Sequence, residues 1–348
     1  MIDDLELLNM MLEDQKQQPG VYKPGRGWIE KSNGIAKTLK SQGLSNFRSS
    51  DATGVKYTDA VTLDPTTLWH LGSRKQRALR SPFKIPRIHR AIIRPFLDRI
   101  DELYGDLERY RNHYFETVHG DWFDQMRNAF ALPDSEVGGT QQILYIHGQR
   151  IALAYFRKLM RIYNYSQKVD LTKKRVAFEI GGGFGADAHL LLQMYPNIRK
   201  YLFLEIPPQL YVGTQYLKHF FPQDVVDYRD TRSLADIRFS DDDRREIICI
   251  SPWQMERAEA EVDLFWSFSS FVHMESGTAR NYAAHVKRLT LRNQQADLCL
   301  YSLPDSPDTL SKYLTRGQVV GFFTDQFEFE FFVPKGEVGD RASWSPDL

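Results

Sequence analysis

From Lys173 onward the chain alternates short aliphatic runs with segments whose apolar positions recur every three to four residues, the pattern of a parallel sheet with crossover helices. The runs predict strands over residues 175–180, 200–205, 246–250, 262–268 and 297–303, with helices at about 186–195, 208–221, 278–289 and 308–313. Two last runs, 318–323 and 326–333, flank Thr324-Asp325 and read as an antiparallel hairpin at the sheet edge. The result is a seven-stranded Rossmann-like α/β sheet, rather than the six-stranded dehydrogenase form. Before residue 165 the pattern changes to an acidic helical start, a Gly- and Pro-containing loop near 20–27, and helices with irregular connections. The clearest of these helices spans 150–165, with Ile151, Ala154, Leu159 and Ile162 on one face. The expected organisation is therefore a mainly helical N-terminal lobe over 1–165, serving as a cap for substrate, and a Rossmann-like domain over 166–348. The charged stretch 224–245 reads as a solvated loop.

Composition narrows the class. With 42% apolar and 13% aromatic residues over 348 positions, the chain can bury a large core and is not disordered. Lys plus Arg and Asp plus Glu both number 45, so no global field draws nucleic acid or an anionic membrane. Cys249 and Cys299 each sit inside an apolar run, where a thiol acts as a small hydrophobe, and no disulfide framework is expected. The acidic start, Met1 to Glu6, lacks the basic and apolar regions of a secretory signal, and no run is long enough to span a membrane. The cytoplasm is the expected location.

The chemistry concentrates at Glu179-Ile180-Gly181-Gly182-Gly183-Phe184-Gly185, where a buried-strand run turns sharply into a helix. Gly181, Gly183 and Gly185 let the backbone turn and a ligand approach with no Cβ in the way. Glu179, two residues before the first glycine, would repel a dinucleotide's pyrophosphate but suits the cationic methionyl end of S-adenosylmethionine. Glu205 ends the next strand, 20 residues after Gly185, where a carboxylate can accept hydrogen bonds from both ribose hydroxyls; Ile206 follows it. At the third strand end, Trp253 can stack on an adenine or Gln254 can bond its edge, while simple packing of Trp253 is an equal alternative.

The stretch from Phe178 to about Leu289 resembles the sugar O-methyltransferases of natural-product and surface-polysaccharide pathways, within the class I S-adenosylmethionine-dependent superfamily. The resemblance rests on the glycine motif, on Leu204-Glu205-Ile206-Pro207-Pro208, and on the segment from Phe265 to Met274. Weaker echoes occur at Ser45-Asn46-Phe47-Arg48 and Val137-Gly138-Gly139. It implies the seven-stranded methyltransferase sheet and methylation of a sugar hydroxyl on a glycosylated small molecule or a polysaccharide precursor. It also implies a place for Ser267 beside the cofactor. One departure stands out: Ser267, Val272 and His273 occupy positions where the family pattern has Asn, Gln and Glu.

Methyl transfer to a hydroxyl is helped by a general base. His273 follows the fourth strand and titrates near neutrality, which makes it the candidate, with Glu275 to orient it or to bind a substrate hydroxyl. Tyr145 and His147, just before the 150–165 helix, are candidates for substrate contacts from the lobe. No Cys/His cluster has zinc spacing, so no metal is expected. Residues 74–99 carry nine Lys or Arg against Asp98 alone, which keeps an RNA methyltransferase open as an alternative to a glycan or small-molecule acceptor. A non-catalytic S-adenosylmethionine-binding regulator is the remaining alternative. Nucleic acid is not the expected partner, and homo-oligomerisation is left open.

Overall fold

The computed structural model describes residues 1–49, 115–116, 119–130, 132, 134, 136–140, 142–268, 270–290, 296–301, 314–325 and 327. Its central strands are β3 (Val176–Ile180), β4 (Lys200–Leu204), β5 (Val225–Val226), β7 (Glu246–Ile250), β9 (Leu264–Phe268) and β10 (Asp297–Tyr301). They form a six-stranded parallel sheet in the order β10-β9-β3-β4-β7-β5. Two short strands, β6 (Ile237–Arg238) and β8 (Ala258–Glu259), pair with each other in a separate sheet. Every residue of β4 and β7 is buried, as expected where helices cover both faces of a parallel sheet. The helices Ala186–Met194 and Gln209–Phe220 connect β3 to β4 and β4 to the β5 and β7 edge, and Ser276–Thr290 connects β9 to β10. The chain builds from β3 outward through β4 and β7, then returns to place β9 against the other side of β3. The order therefore reverses beside β3, and in open α/β sheets the crevice outside the strand ends at that point is the ligand position.

The N-terminal residues form two helices, Leu5–Lys16 and Arg26–Gln42, and a further helix covers 119–129. The first begins at Asp4, whose side chain accepts from Leu7 N at 3.0 Å. It buries Leu7, Leu8 and Met11, and Asp14 ties it to the sheet side by accepting from Arg232 at 2.6 and 2.7 Å and from the Tyr228 hydroxyl at 2.7 Å. The long helix Leu153–Ser166 packs on Ala186–Met194, and the buried apolar residues of both regions merge into one core. Cys249 and Cys299 are free and buried. Among the described residues, no helix is long and apolar enough to cross a membrane.

The Rossmann-like architecture agrees with the reading of the sequence, and three details correct it. Residues 318–323 are not a strand: Arg316–Gly321 is a helix started by a reciprocal cap, with Thr315 Oγ1 accepting from Gln318 N at 3.1 Å and Gln318 Oε1 accepting from Thr315 N at 2.8 Å. The sheet thus has six strands among the described residues, and its sixth is β5, inside the stretch read as a loop. The helix expected from residue 150 starts at Leu153, because β2 (Gln149–Ala152) pairs antiparallel with β1 (Ile143–Ile146). The expected elements at 308–313 and 326–333 lie outside the described residues, apart from Phe327, as does the basic segment 74–99.

Candidate active site

Ile180, Leu204 and Phe268 end β3, β4 and β9 on one edge of the sheet, so the loops leaving these strands meet at the reversal point. After β3 the glycine turn runs into the helix Ala186–Met194, with Gly181, Gly183 and Gly185 at φ of 78°, 60° and 90°. Gly181 is required by close approach, since a Cβ there would stand 1.7 Å from Ser270 Oγ, in the loop after β9. Gly183 is different. No heavy atom lies within 4 Å of where its Cβ would be, so the turn has an open side at this residue.

Glu205, directly after β4, closes the other side of the turn. Its carboxylate accepts from Gly183 N at 2.9 Å and from its neighbour Ile206 N at 2.8 Å. Burial pushes its carboxyl up to about 7 against the opposing pull of those two N–H groups. Glu179 is 2% exposed, and its Oε2 accepts from the Tyr201 hydroxyl at 2.9 Å. Burial, then the nearby charge of Asp187, pushes Glu179 up to about 8. Among the described residues neither glutamate forms an ion pair. Lys158, paired with Asp187, pulls the other way on Glu179 without forming a salt bridge to it. Two recessed acids with no salt-bridge partner among the described residues, flanking a turn with an open face, form a cradle suited to a ligand that brings positive charge or hydroxyl donors.

The remaining residues expected at the cofactor divide into two groups. Ser267 is buried at the turn and donates to Ile180 O at 3.0 Å, locking β9 to the end of β3. Trp253 and Gln254 face inward. The Trp253 indole donates to the Tyr228 hydroxyl at 3.2 Å, the packing alternative. Gln254 is fully buried, accepting from Ser251 N at 2.8 Å and donating to Thr231 Oγ1 at 2.9 Å. Both ends of its amide are engaged within the protein, which removes it from the expected adenine contact.

His273 ends the short 3₁₀ turn Phe271–His273, three residues after the Ser270 that touches Gly181. It is half-buried against the start of the helix Arg26–Gln42, its ring 6.3 Å from that of Trp28 in an edge-on arrangement. Burial, and then the positive charge of Lys31, holds its imidazole below the ordinary histidine value, so it is neutral at pH 7. Glu275 is exposed at the start of the helix Ser276–Thr290, where its carbonyl accepts from Ala279 N at 2.9 Å. Tyr145 and His147 are held on the β1–β2 hairpin. The Tyr145 hydroxyl accepts from Arg150 at 2.9 Å, and His147 Nδ1 pairs with Asp124 at 2.7 Å while the His147 backbone N–H donates to Glu116 at 2.9 Å. These bonds join the two residues to the lobe rather than to the glycine turn.

Several neighbours of the site carry no motif of their own. Tyr201 bonds Glu179, Ser270 fills the space beside Gly181, and Trp28 and Lys31 come to His273 from more than two hundred residues away in the chain. Buried Tyr282 lies near enough to Glu205 for that charge, after burial itself, to hold its hydroxyl protonated. The strand pattern made Tyr201 findable as an inward residue of β4; nothing in the sequence linked Trp28 to His273. Among the described residues no group of His, Cys, Asp or Glu could hold a metal ion.

The chain is similar in structure to the mitomycin 7-O-methyltransferase MmcR at 18% identity and a TM-score of 0.32, covering 46% of this chain and 41% of that one. It is also similar to the S-adenosylmethionine-dependent methyltransferase SibL in its apo form, at 14% identity and a TM-score of 0.28, covering 61% of this chain and 60% of that one. In both cases the match spans less than two thirds of the other protein. No protein-family model matches the chain, and no curated protein matches it in sequence.

Proposed function

We propose that this protein is an S-adenosylmethionine-dependent O-methyltransferase whose acceptor is a sugar hydroxyl of a glycosylated small molecule or a polysaccharide precursor. The observation that carries the reading is the pairing of the open glycine turn with two buried acids, neither in a salt bridge among the described residues, at the reversal point of the sheet. The residues fit the cofactor: Gly181 to Gly185 leave backbone room, Glu205 offers its carboxylate to ribose hydroxyls, and Glu179 offers negative charge to the methionyl ammonium. S-adenosylmethionine, when bound, supplies an activated methyl group on a sulfonium.

The protein's own groups position and deprotonate. Ser267 and Ser270 fix the β9 loop against the turn, and that loop carries His273. A neutral imidazole there accepts the acceptor's hydroxyl proton as the oxygen attacks, and burial, with the charge of Lys31 second, favours that neutral form. Glu275, exposed two residues further on, is assigned to acceptor hydroxyls. The sugar assignment rests on the resemblance of the segment from Phe178 to Leu289. Incubating the protein with methyl-labelled S-adenosylmethionine and extracts of its source, then identifying the product by mass spectrometry, tests it. Label on a sugar oxygen is the expected result; label on RNA or on a nitrogen would overturn the acceptor class.

A further inference from the structure

The two weak sequence echoes in the N-terminal half, 45–48 and 137–139, are far apart in the chain but meet in space. Arg48 N donates to Gly138 O at 2.9 Å, and the Arg48 guanidinium donates to Val137 O at 3.2 Å. Gly138 has φ of 93°, and a Cβ there would stand 2.2 Å from the Phe47 ring, so the turn lies flat on that ring. Phe47 and Arg48 are each 1% exposed. What they press on is Phe184, the one side chain between Gly183 and Gly185. The Phe47 ring meets Phe184 edge-on at 5.6 Å, and the Arg48 guanidinium lies 4.9 Å from its centre. Tyr216 completes a three-ring cluster, 5.1 Å from Phe184 and 6.2 Å from Phe47, and is held by its hydroxyl bond to Tyr155, which in turn bonds His189 Nδ1 at 2.8 Å.

A glycine-rich turn has little conformational preference of its own, so its shape must be imposed from outside. Phe184 is the handle by which that can be done. We infer that Phe47 and Arg48 are positioning residues: by packing on Phe184 together with Tyr216 they clamp the glycine turn in the shape that receives the cofactor. The segment 45–48, and the turn 137–139 beneath it, thereby belong to the cofactor site without touching the ligand. The inference rests on the S-adenosylmethionine reading of the turn for its consequence, but the clamp itself can be measured without ligand.

The test compares the parent with Phe47→Leu and Arg48→Lys, and with Phe123→Leu as a control for general loosening. Phe123 is fully buried and packs on Phe156, away from the turn. Amide exchange is followed at Gly181, Gly183 and Gly185, whose N–H groups bond Leu204 O, the Glu205 carboxylate and Gly182 O. S-adenosylmethionine affinity is measured by calorimetry at a temperature where all variants are folded. The clamp predicts faster exchange at those three amides in Phe47→Leu and about tenfold weaker binding, a smaller change in the same direction for Arg48→Lys, and binding within about twofold of the parent for Phe123→Leu. Bound cofactor should in return slow exchange at 45–48 and 137–139. Parent-like exchange and affinity in Phe47→Leu, or an equal loss in Phe123→Leu, would overturn the inference. A parent that binds no S-adenosylmethionine would defeat the cofactor reading instead, while exchange at the three amides in the unliganded proteins still decides the clamp.

Discussion

The Glu205 carboxylate accepts the Gly183 N–H at 2.9 Å, joining the end of one strand to the turn that leaves its neighbour. One carboxylate oxygen fixes the turn and the other is bonded by the adjacent Ile206 N–H, so the acid is oriented before any ligand arrives. Glu205→Ala should therefore weaken S-adenosylmethionine by about 1.5–3 kcal/mol, the usual range for hydrogen bonds to a charged group. Glu205→Gln, which keeps one acceptor, should lose less. Titration calorimetry reads both, and parent-like affinity in both would remove Glu205 from the ribose.

Gly183 has open space where a side chain would go, and a φ of 60° that β-branched residues avoid. Gly183→Val should fill the cradle and strain the turn, abolishing cofactor binding in a protein whose circular dichroism remains that of a folded α/β chain. A folded variant with unchanged affinity would mean that no ligand approaches the turn here.

Glu179 gives a prediction in which stability and function move in opposite directions. Its folded-state value is about 8 against an ordinary value of 4.5, so between those limits the folded protein keeps a proton that the unfolded chain has released. Stability contributed by this group is full below pH 4.5 and is lost as pH rises through 8. Glu179→Gln does not titrate and retains an acceptor for Tyr201. Thermal melts without ligand should show no advantage for the variant at pH 4 and a growing one toward pH 8, while its cofactor affinity falls. A variant less stable than the parent at pH 8 would show that the charge is compensated inside the protein.

His273→Ala should leave cofactor affinity nearly unchanged and lower turnover by about 10²–10⁴-fold. The parent's activity should rise with pH through a midpoint below the ordinary 6.5, because burial and Lys31 both favour the neutral ring. Lys31→Met should move that limb upward. Rates across pH 5 to 8.5 with saturating cofactor check all three; retention of more than about a tenth of the parent rate in His273→Ala would remove the base assignment.

Much of the sheet was legible because buried parallel strands are continuous apolar runs: β7 was expected over 246–250 and lies at Glu246–Ile250. The misreadings came where a local signal outweighed composition. Val319, Val320, Phe322 and Phe323 look like a strand, yet Thr315 and Gln318 form a capping box that starts a helix. His147 and Gly148, both at positive φ, form the two-residue turn of a hairpin whose second strand takes residues 150–152, where the helix was expected to begin. Within the site, Glu179, Glu205 and the glycines were readable from spacing, since adjacent parallel strands bring their ends together. Trp28 was not, and Phe47 showed only within the weak echo at 45–48, because their placement depends on how the N-terminal segments dock on the sheet, which no short-range pattern encodes.

The central claim is that the turn and its two acids bind S-adenosylmethionine, and calorimetric titration at pH 7 in two buffers of different ionisation enthalpy tests it most directly. Glu179 and Glu205, held near 8 and 7, are partly protonated at that pH, and a cationic ligand favours their ionised forms. The account predicts one saturable site for S-adenosylmethionine with net proton release, and no comparable binding of NAD. No binding at millimolar cofactor by a folded protein, or equally tight binding of NAD, would contradict it.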